Sequence, residues 1–477
     1  IKGIYKLYIT AHGLYKVMLN GHLLDTLFMP GCDNYHKRLQ YQIYDISDYV
    51  GVGNNEIQVI LGNGWYKGSN GLKGTRNLYG DELGVLLSIV DSEGRIVLRS
   101  DESWLGSENG PIIMNDLQQG EYYDARIEVK DWVPVEVQSF DFDNLVYNHN
   151  PIHEHESFKA EYIGNNTYEF SQCFNGYVEI SVTAHEGDKI ELLHGEALDK
   201  DGKFTQENFQ PARYYRKEGI AQKIVYICKE GINQYKPSFS VFGSRYIKLK
   251  TDIELQNIEF IGHAVYTKQT GFFECSDDRL NKLFSNALWS QKSNFLDIPM
   301  DCPTRERAGW TGDICIYADT AVTLFDCYDL LAKWINEVRI NQRNDGRIMT
   351  INPPVEKDNF LSAFFSASVG FGDACIIVPY TLYKYYKKIE ILTKNYEMMK
   401  KWIGFLEKRA SCSRIATILK YPHDQKYIID IGFDYGEWLE PGSSSMQVVR
   451  DVVFKGHPEI ATAYFAYCTR LMTEIAN

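Results

Sequence analysis

One stretch of the sequence is dense in groups able to move protons and to hold a polar ligand. It reads Asp297-Ile298-Pro299-Met300-Asp301-Cys302-Pro303-Thr304-Arg305-Glu306-Arg307-Ala308-Gly309-Trp310-Thr311-Gly312-Asp313. Three carboxylates, Asp301, Glu306 and Asp313, fall within its last thirteen residues, among Arg305, Arg307 and Trp310. Pro299, Pro303, Gly309 and Gly312 forbid a continuous helix, so a shaped loop is expected. Loops held by rigid scaffolds are where binding and catalysis concentrate. Cleavage of a glycosidic bond needs a protonated carboxylic acid that donates to the leaving oxygen. It also needs a carboxylate, either as nucleophile or as base for water. A carboxylate ordered by an arginine accepts paired bonds from a sugar diol, and an indole face covers the apolar side of the ring. Neighbouring carboxylates raise one another's pKa, which helps one keep its proton. Charge alone also fits a helix-capping ion-pair loop or a calcium loop. Calcium loops alternate their ligands more closely, and the Pro-Gly-Trp framing favours a ligand-facing loop.

The run Asp301 to Asp313 resembles the signature of glycoside hydrolase family 78, the bacterial α-L-rhamnosidases, approximately D-C-P-x-R-(x)-E-R-x-G-W-T-G-D. The variable residue that some members carry before the Glu is absent here. The resemblance implies Glu306 as general acid. Asp301 would hold rhamnose hydroxyls and support the positive transition state. Arg305 and Asp313 would line the same subsite, with Trp310 packed on the sugar. Gly370-Phe371-Gly372-Asp373-Ala374 is similar to the family's G-W-G-D-A, with Phe371 in place of Trp, and implies sugar contacts from Phe371 and Asp373. Asp434-Tyr435-Gly436-Glu437-Trp438-Leu439 is similar to Y-G-D-W-L and implies Trp438 at the pocket. Asn63 to Gly68, His194 to Asp199 and Phe242 to Tyr246 are similar to further family segments. The base of this inverting family is a Glu late in a helical barrel. Nothing after Trp438 suits that role, so the base is expected outside this chain, with the barrel incomplete.

The elements that must position these residues change period once, near residue 270. Before it, Tyr15, Val17 and Leu19 alternate and run into Asn20-Gly21, a hairpin dipeptide. Val85 to Val90 and Arg95 to Leu98 flank Asp91-Ser92-Glu93-Gly94, a second hairpin. Polar residues 148–157 read as a linker. Alternation resumes at Val178, Ile180, Val182, Ile190, Leu192, Ile247 and Leu249. After Gly271 the period is helical: a helix capped by Ser276 with a stripe of Leu280, Leu283, Phe284 and Leu288, then Asp319 to Arg339, Ala374 to Tyr386, Tyr396 to Leu406 and Glu459 to Ala476. The expected architecture is two antiparallel β-sandwich domains, 1–147 and 148–268, followed by a partial (α/α)6 barrel, 269–477. By the resemblance these are the N-terminal, concanavalin-like and catalytic domains.

Composition sets the limits. At ~100–200 residues per domain, 477 residues allow two to four domains. The 14% aromatic content suits either sugar binding or a Tyr-rich sandwich. A formal charge of −13 argues against nucleic acid and against an anionic membrane surface. Ten cysteines without C-x-x-C spacing argue against a zinc knuckle and suit a reducing, cytoplasmic setting. No metal or other cofactor is expected. His153-Glu154-His155-Glu156 has metal-ligand composition but reads as a solvated polar stretch. Glu437 and Glu440 flank Trp438 and read as neighbours of the contact. Gly51-Val52-Gly53 is not a dinucleotide fingerprint, for want of a third Gly and a helix. The expected partner is a small carbohydrate with a terminal L-rhamnoside, and homodimerisation stays open. The rival readings are another (α/α)6 carbohydrate-active enzyme and a non-catalytic carbohydrate-binding protein.

Overall fold

In a computed structural model, residues 3–148, 152–213, 216–252, 256–358, 366–420, 422, 427–437, 442 and 457–477 are described. The chain forms two compact units, Ile1–Lys268 with Phe273–Arg307, and Gln269–Phe272 with Ala308–Asn477.

The first unit is rich in sheet. Strand Tyr5–His12 buries Leu7, Ile9 and Ala11 on one face and pairs antiparallel with Leu39–Asp45 and Gly84–Asp91 at the centre of a five-stranded sheet. A three-stranded sheet of Leu14–Leu19, His22–Leu23 and Ile57–Gly62 supplies Tyr15, Val17 and Leu19. Both sets of side chains join one apolar core with Leu87 and Ile89, the arrangement of a sandwich. The Asn20-Gly21 turn has φ of 50° and 79°, the left-handed pair that a two-residue hairpin demands.

The second sheet differs from the expected sandwich. It is one hydrogen-bonded set of ten strands organised on the long strand Thr167–Ala184, which pairs with four others. Register shifts let a strand of this length change partners along its course. The sheet also takes in Ile112–Asp116 and Gly120–Asp124, from before position 148. Nor is the unit purely antiparallel. Leu145–Tyr147 runs parallel to Leu39–Tyr41, and Gly120–Asp124 parallel to Lys223–Ile227. The stretch read as a linker is in part strand His153–Lys159, paired with Gln256–Tyr266. Its polar side chains have fixed partners: His153 with Asp25, Glu154 with Tyr177 and His263, and Glu156 with Lys292.

Beside the single turn α1 (Gly64–Lys67) and two short 3-10 turns, the long helix among the described residues of this unit is α2 (Asp278–Asn294), packed on the long strand. Its cap is Asp277, whose carboxylate accepts from the Arg279 amide, and not Ser276. Leu280 and Leu283 of its expected apolar stripe are exposed.

The second unit is helical: α3 (Thr311–Leu324), α4 (Tyr328–Ile340), α5 (Ala374–Tyr386), α6 (Glu390–Ser411), α7 (Arg414–Ile418) and α8 (Pro458–Ala476) among the described residues. Helix α5 carries Ile376, Ile377, Val378 and Leu382, all buried, and touches α3, α4, α6 and α8. A helix apolar all round belongs in the middle. Helix α6 buries Ile391, Leu392, Asn395, Met398, Met399, Trp402 and Leu406, a one-sided stripe at helical period. The single helix expected from Asp319 to Arg339 is broken at Phe325–Cys327, because the Leu324 carbonyl accepts from the Thr270 and Gly271 amides.

Candidate active site

Residues 301–307 are irregular chain sewn to turns and strand ends of the first unit. The Gln222 amide donates to the Thr304 carbonyl at 2.7 Å, and the Gln118 amide to the Arg305 carbonyl at 2.9 Å. The Thr304 hydroxyl donates to Glu196 at 3.2 Å. Arg307, buried and at φ 55°, donates to the carbonyls of Leu117 and Val241. Burial pulls its guanidinium down to about 10, so it stays charged at neutral pH. Gly243 lets this chain approach: a Cβ there would lie 2.7 Å from Thr304 Cγ2 and 2.9 Å from Glu196 Oε1.

Within this frame Arg305 Nη2 donates to Glu306 Oε1 at 3.1 Å, and the Glu306 side chain is only 12% exposed. The Glu306 amide points at Cys302 Sγ, 3.1 Å away. Burial first, and the Asp301 carboxylate second, push the Cys302 thiol up to about 12. One neutral thiol therefore sits against both acidic residues of the loop. Burial also raises Glu196, opposed by the Thr304 hydrogen bond.

In the second unit, Trp310 immediately precedes α3. The turn before that helix is laced to residues 350–352: the Thr311 amide donates to the Thr350 carbonyl (2.8 Å), and Asn352 to the Gly309 carbonyl (2.9 Å). Trp310 meets Phe371 at 6.1 Å and Tyr435 at 5.9 Å between ring centroids, both edge-on, and Phe371 lies 4.6 Å from Tyr435. Gly312 makes room for this trio, since a Cβ on it would lie 2.5 Å from the Phe371 ring. Gly312 and Asp313 thus belong to the first turn of α3 and not to the loop, and Asp313 is exposed.

Asp373 is committed to internal partners. It is fully buried, with one carboxylate oxygen accepting from the Trp402 indole at 2.9 Å and the other from the Gly370 amide at 2.6 Å. Burial raises its pKa, while those bonds oppose the shift. A fully buried carboxylate held by these internal donors and by the Cys468 thiol shapes the Phe371 loop. Trp438, like Glu440, lies outside the described residues, and Glu437 is exposed. Residues that sequence reasoning passed over are Cys302, Gln118, Gln222, Glu196 and Tyr435. Cys302, Glu196 and Tyr435 stood inside quoted segments. Nothing local marks Gln118 or Gln222. Among the described residues no group of three or more His, Cys, Asp or Glu is placed to hold a metal ion, and no helix is long and apolar enough to cross a membrane.

The first unit offers an acidic, arginine-bearing loop and the second, a helical domain, an aromatic trio beside a helix start, group types that suit a carbohydrate ligand. The comparisons are more specific. Residues 5–165 match the α-L-rhamnosidase N-terminal domain, 163–266 the bacterial α-L-rhamnosidase concanavalin-like domain, and 268–477 the bacterial α-L-rhamnosidase 6 hairpin glycosidase domain. The chain belongs to the bacterial α-L-rhamnosidase family, glycoside hydrolase family 78. An α-L-rhamnosidase of Formosa agariphila is 29% identical over 99% of this chain and 50% of its own length. One of Streptomyces avermitilis is 31% identical over 99% and 44%. The solved structure of the Streptomyces avermitilis α-L-rhamnosidase complexed with L-rhamnose superposes with a TM-score of 0.83 at 28% identity, covering 100% of this chain and 45% of that one. The chain spans about half the length of the curated relatives it matches.

Proposed function

We propose that this chain carries the acid and the sugar platform of an inverting α-L-rhamnosidase, an exo-glycosidase that releases terminal α-L-rhamnose from rhamnosides. The helical unit is read as part of an (α/α)6 barrel. Glu306 donates its proton to the leaving oxygen, and Asp301 holds sugar hydroxyls and supports the developing positive charge. Arg305 orders Glu306 through their 3.1 Å bond, and Asp313 lines the same subsite. Trp310, Phe371 and Tyr435 offer ring faces and edges to the apolar side and methyl group of the sugar. Trp438 joins them in this reading. The water-activating base is assigned to no residue of this chain.

The observation that carries the proposal is the contact of Trp310, Phe371 and Tyr435 at the start of α3, immediately downstream of the acid. Glu306→Gln tests it. Turnover of an alkyl α-L-rhamnoside, whose poor leaving group needs the proton, is expected to fall ~10²–10⁴-fold, the usual worth of a general acid, with the circular dichroism spectrum unchanged. Proton NMR of the first sugar released is expected to detect the inverted anomer. Near-normal turnover by Glu306→Gln removes the acid assignment. L-Rhamnose binding by a wild-type protein that cleaves no rhamnoside would favour the non-catalytic sugar-binding reading.

A further inference from the structure

We infer that Gln118 and Gln222, both in the sheet-rich unit, are positioning residues that set the reach of Glu306; the inference rests on the acid role proposed above. The two amides grip consecutive carbonyls, Thr304 and Arg305, just before the acid. Both side chains are buried, at 1% and 0% exposure. The orientation of Gln118 is imposed. Its Oε1 accepts from Arg216 Nη1 at 2.5 Å, and a guanidinium only donates, so the NH2 must face the Arg305 carbonyl and, at 2.9 Å, the Gly71 carbonyl. Gln222 is held by its own backbone. Its amide donates to the Gln118 carbonyl, and its carbonyl accepts from the His194 amide. On the far side of the acid, Arg307 anchors to Leu117 and Val241. Residues 304, 305 and 307 are therefore pinned to sheet-borne groups, and a carboxyl between fixed neighbours has little freedom beyond its own rotamers. A displacement of ~1 Å at a reacting group costs up to about 10²-fold in rate, so the bonds to Thr304 and Arg305 govern proton transfer without touching substrate.

Methionine keeps the shape of glutamine and removes the donors. Gln118→Met and Gln222→Met are to be compared with wild type and Glu306→Gln on two rhamnosides, one with an activated nitrophenyl leaving group and one with an alkyl leaving group. Proton donation matters little for the first and greatly for the second. We expect each Met variant to lose ~10-fold or more in kcat/KM on the alkyl rhamnoside and at most about 2-fold on the nitrophenyl one, with KM little changed. The ratio of the two losses does not depend on how much protein is folded, and either variant alone suffices. Amide exchange over residues 301–307 should quicken in both. Equal losses on both substrates, or none, in the Met variants while Glu306→Gln splits them would overturn the positioning role alone. Failure of Glu306→Gln to split them would remove the acid role instead, and unchanged amide exchange in the Met variants would then remove the grip as well.

Discussion

Removing Arg409 is expected to cost the helical unit about 4 kcal/mol, near the middle of the range for breaking one partner out of a buried ion pair. Arg409 leaves the end of α6 and is 8% exposed. It bonds Asp434 at 2.7 and 3.2 Å, the Ile431 carbonyl at 2.5 and 3.0 Å, and the Ala367 carbonyl at 3.0 Å. Asp434 in turn accepts from the Val369 amide at 2.7 Å, and the Ser368 hydroxyl accepts from the Tyr435 amide at 3.0 Å. One guanidinium thus ties together the loops that carry Phe371 and Tyr435. Arg409→Met retains much of the stem's packing but strands a buried carboxylate and leaves two backbone carbonyls short of a donor. For a unit of this size, about 4 kcal/mol corresponds to a fall of roughly 8–16 °C in Tm, to be read by calorimetry and near-ultraviolet circular dichroism. Adding Asp434→Asn removes the stranded charge while keeping an acceptor for Val369, and should restore at least about 2 kcal/mol, since contacting partners couple. The pH dependence has a definite sign. Burial raises Asp434 above the ordinary aspartate range, and Arg409 opposes that shift. Without Arg409 the folded carboxyl binds its proton still more readily than the unfolded one. Stability of Arg409→Met should therefore rise as pH falls toward about 5. A fall of less than ~2 °C, or a double variant as unstable as the sum of the singles, would refute the reasoning.

Asp373→Asn leaves the Trp402 indole or the Gly370 amide without its acceptor and should lower the stability of the helical unit by ~1–3 kcal/mol while leaving KM unchanged; unchanged thermal unfolding with a raised KM would return Asp373 to the sugar. His194 is fully buried, and burial depresses it to about 4. The unfolded chain then binds a proton that the folded one refuses, so the sheet-rich unit should lose up to ~3 kcal/mol as pH falls from about 6.5 to about 4. Substituting His194→Gln should flatten that slope in urea titrations. Gly312→Ala, which drives a methyl into the Phe371 ring, should raise KM for an aryl rhamnoside several-fold with kcat nearly kept, and equal falls in both constants would contradict a binding role for the ring.

Where side chains obey a local period the fold was legible. Leu7, Ile9, Val178 and Ile180 alternate and are buried, and the α6 stripe from Ile391 to Leu406 repeats at helical spacing. The loop was legible because its unusual residues each answer to a near neighbour. A Cβ on Gly309 would collide with the Asn352 carbonyl and the Trp334 indole, as one on Gly312 would with Phe371. What escaped was set by residues distant in the chain. The apolar run through Leu324, Phe325 and Leu330 carries no Gly or Pro, yet it breaks where Thr270 and Gly271 claim the Leu324 carbonyl. His153 to Glu156 reads as solvated until Asp25, Tyr177, His263 and Lys292 arrive. Nothing near Asp373 in the chain announces the Trp402 indole that bonds it.

The run from 301 to 313 is one motif in sequence and two in structure. Its first half, through Arg307, belongs with the sheets, and its second half, from Ala308, with the helices. Each half is fixed by groups of its own unit: Gln118, Gln222 and the Leu117 and Val241 carbonyls on one side, Thr350, Asn352 and Phe371 on the other. In the proposed reading the two halves also hold different chemistry, a proton donor in the first and an aromatic platform in the second. Damage to the sheet-borne anchors should therefore surface in bond cleavage, and damage to the helix-borne rings in sugar affinity. On this account the sheet-rich unit is more than ballast. If Glu306 is the acid, two glutamines 188 and 84 residues upstream of it are part of how its proton is delivered, which no reading of the motif alone could have revealed.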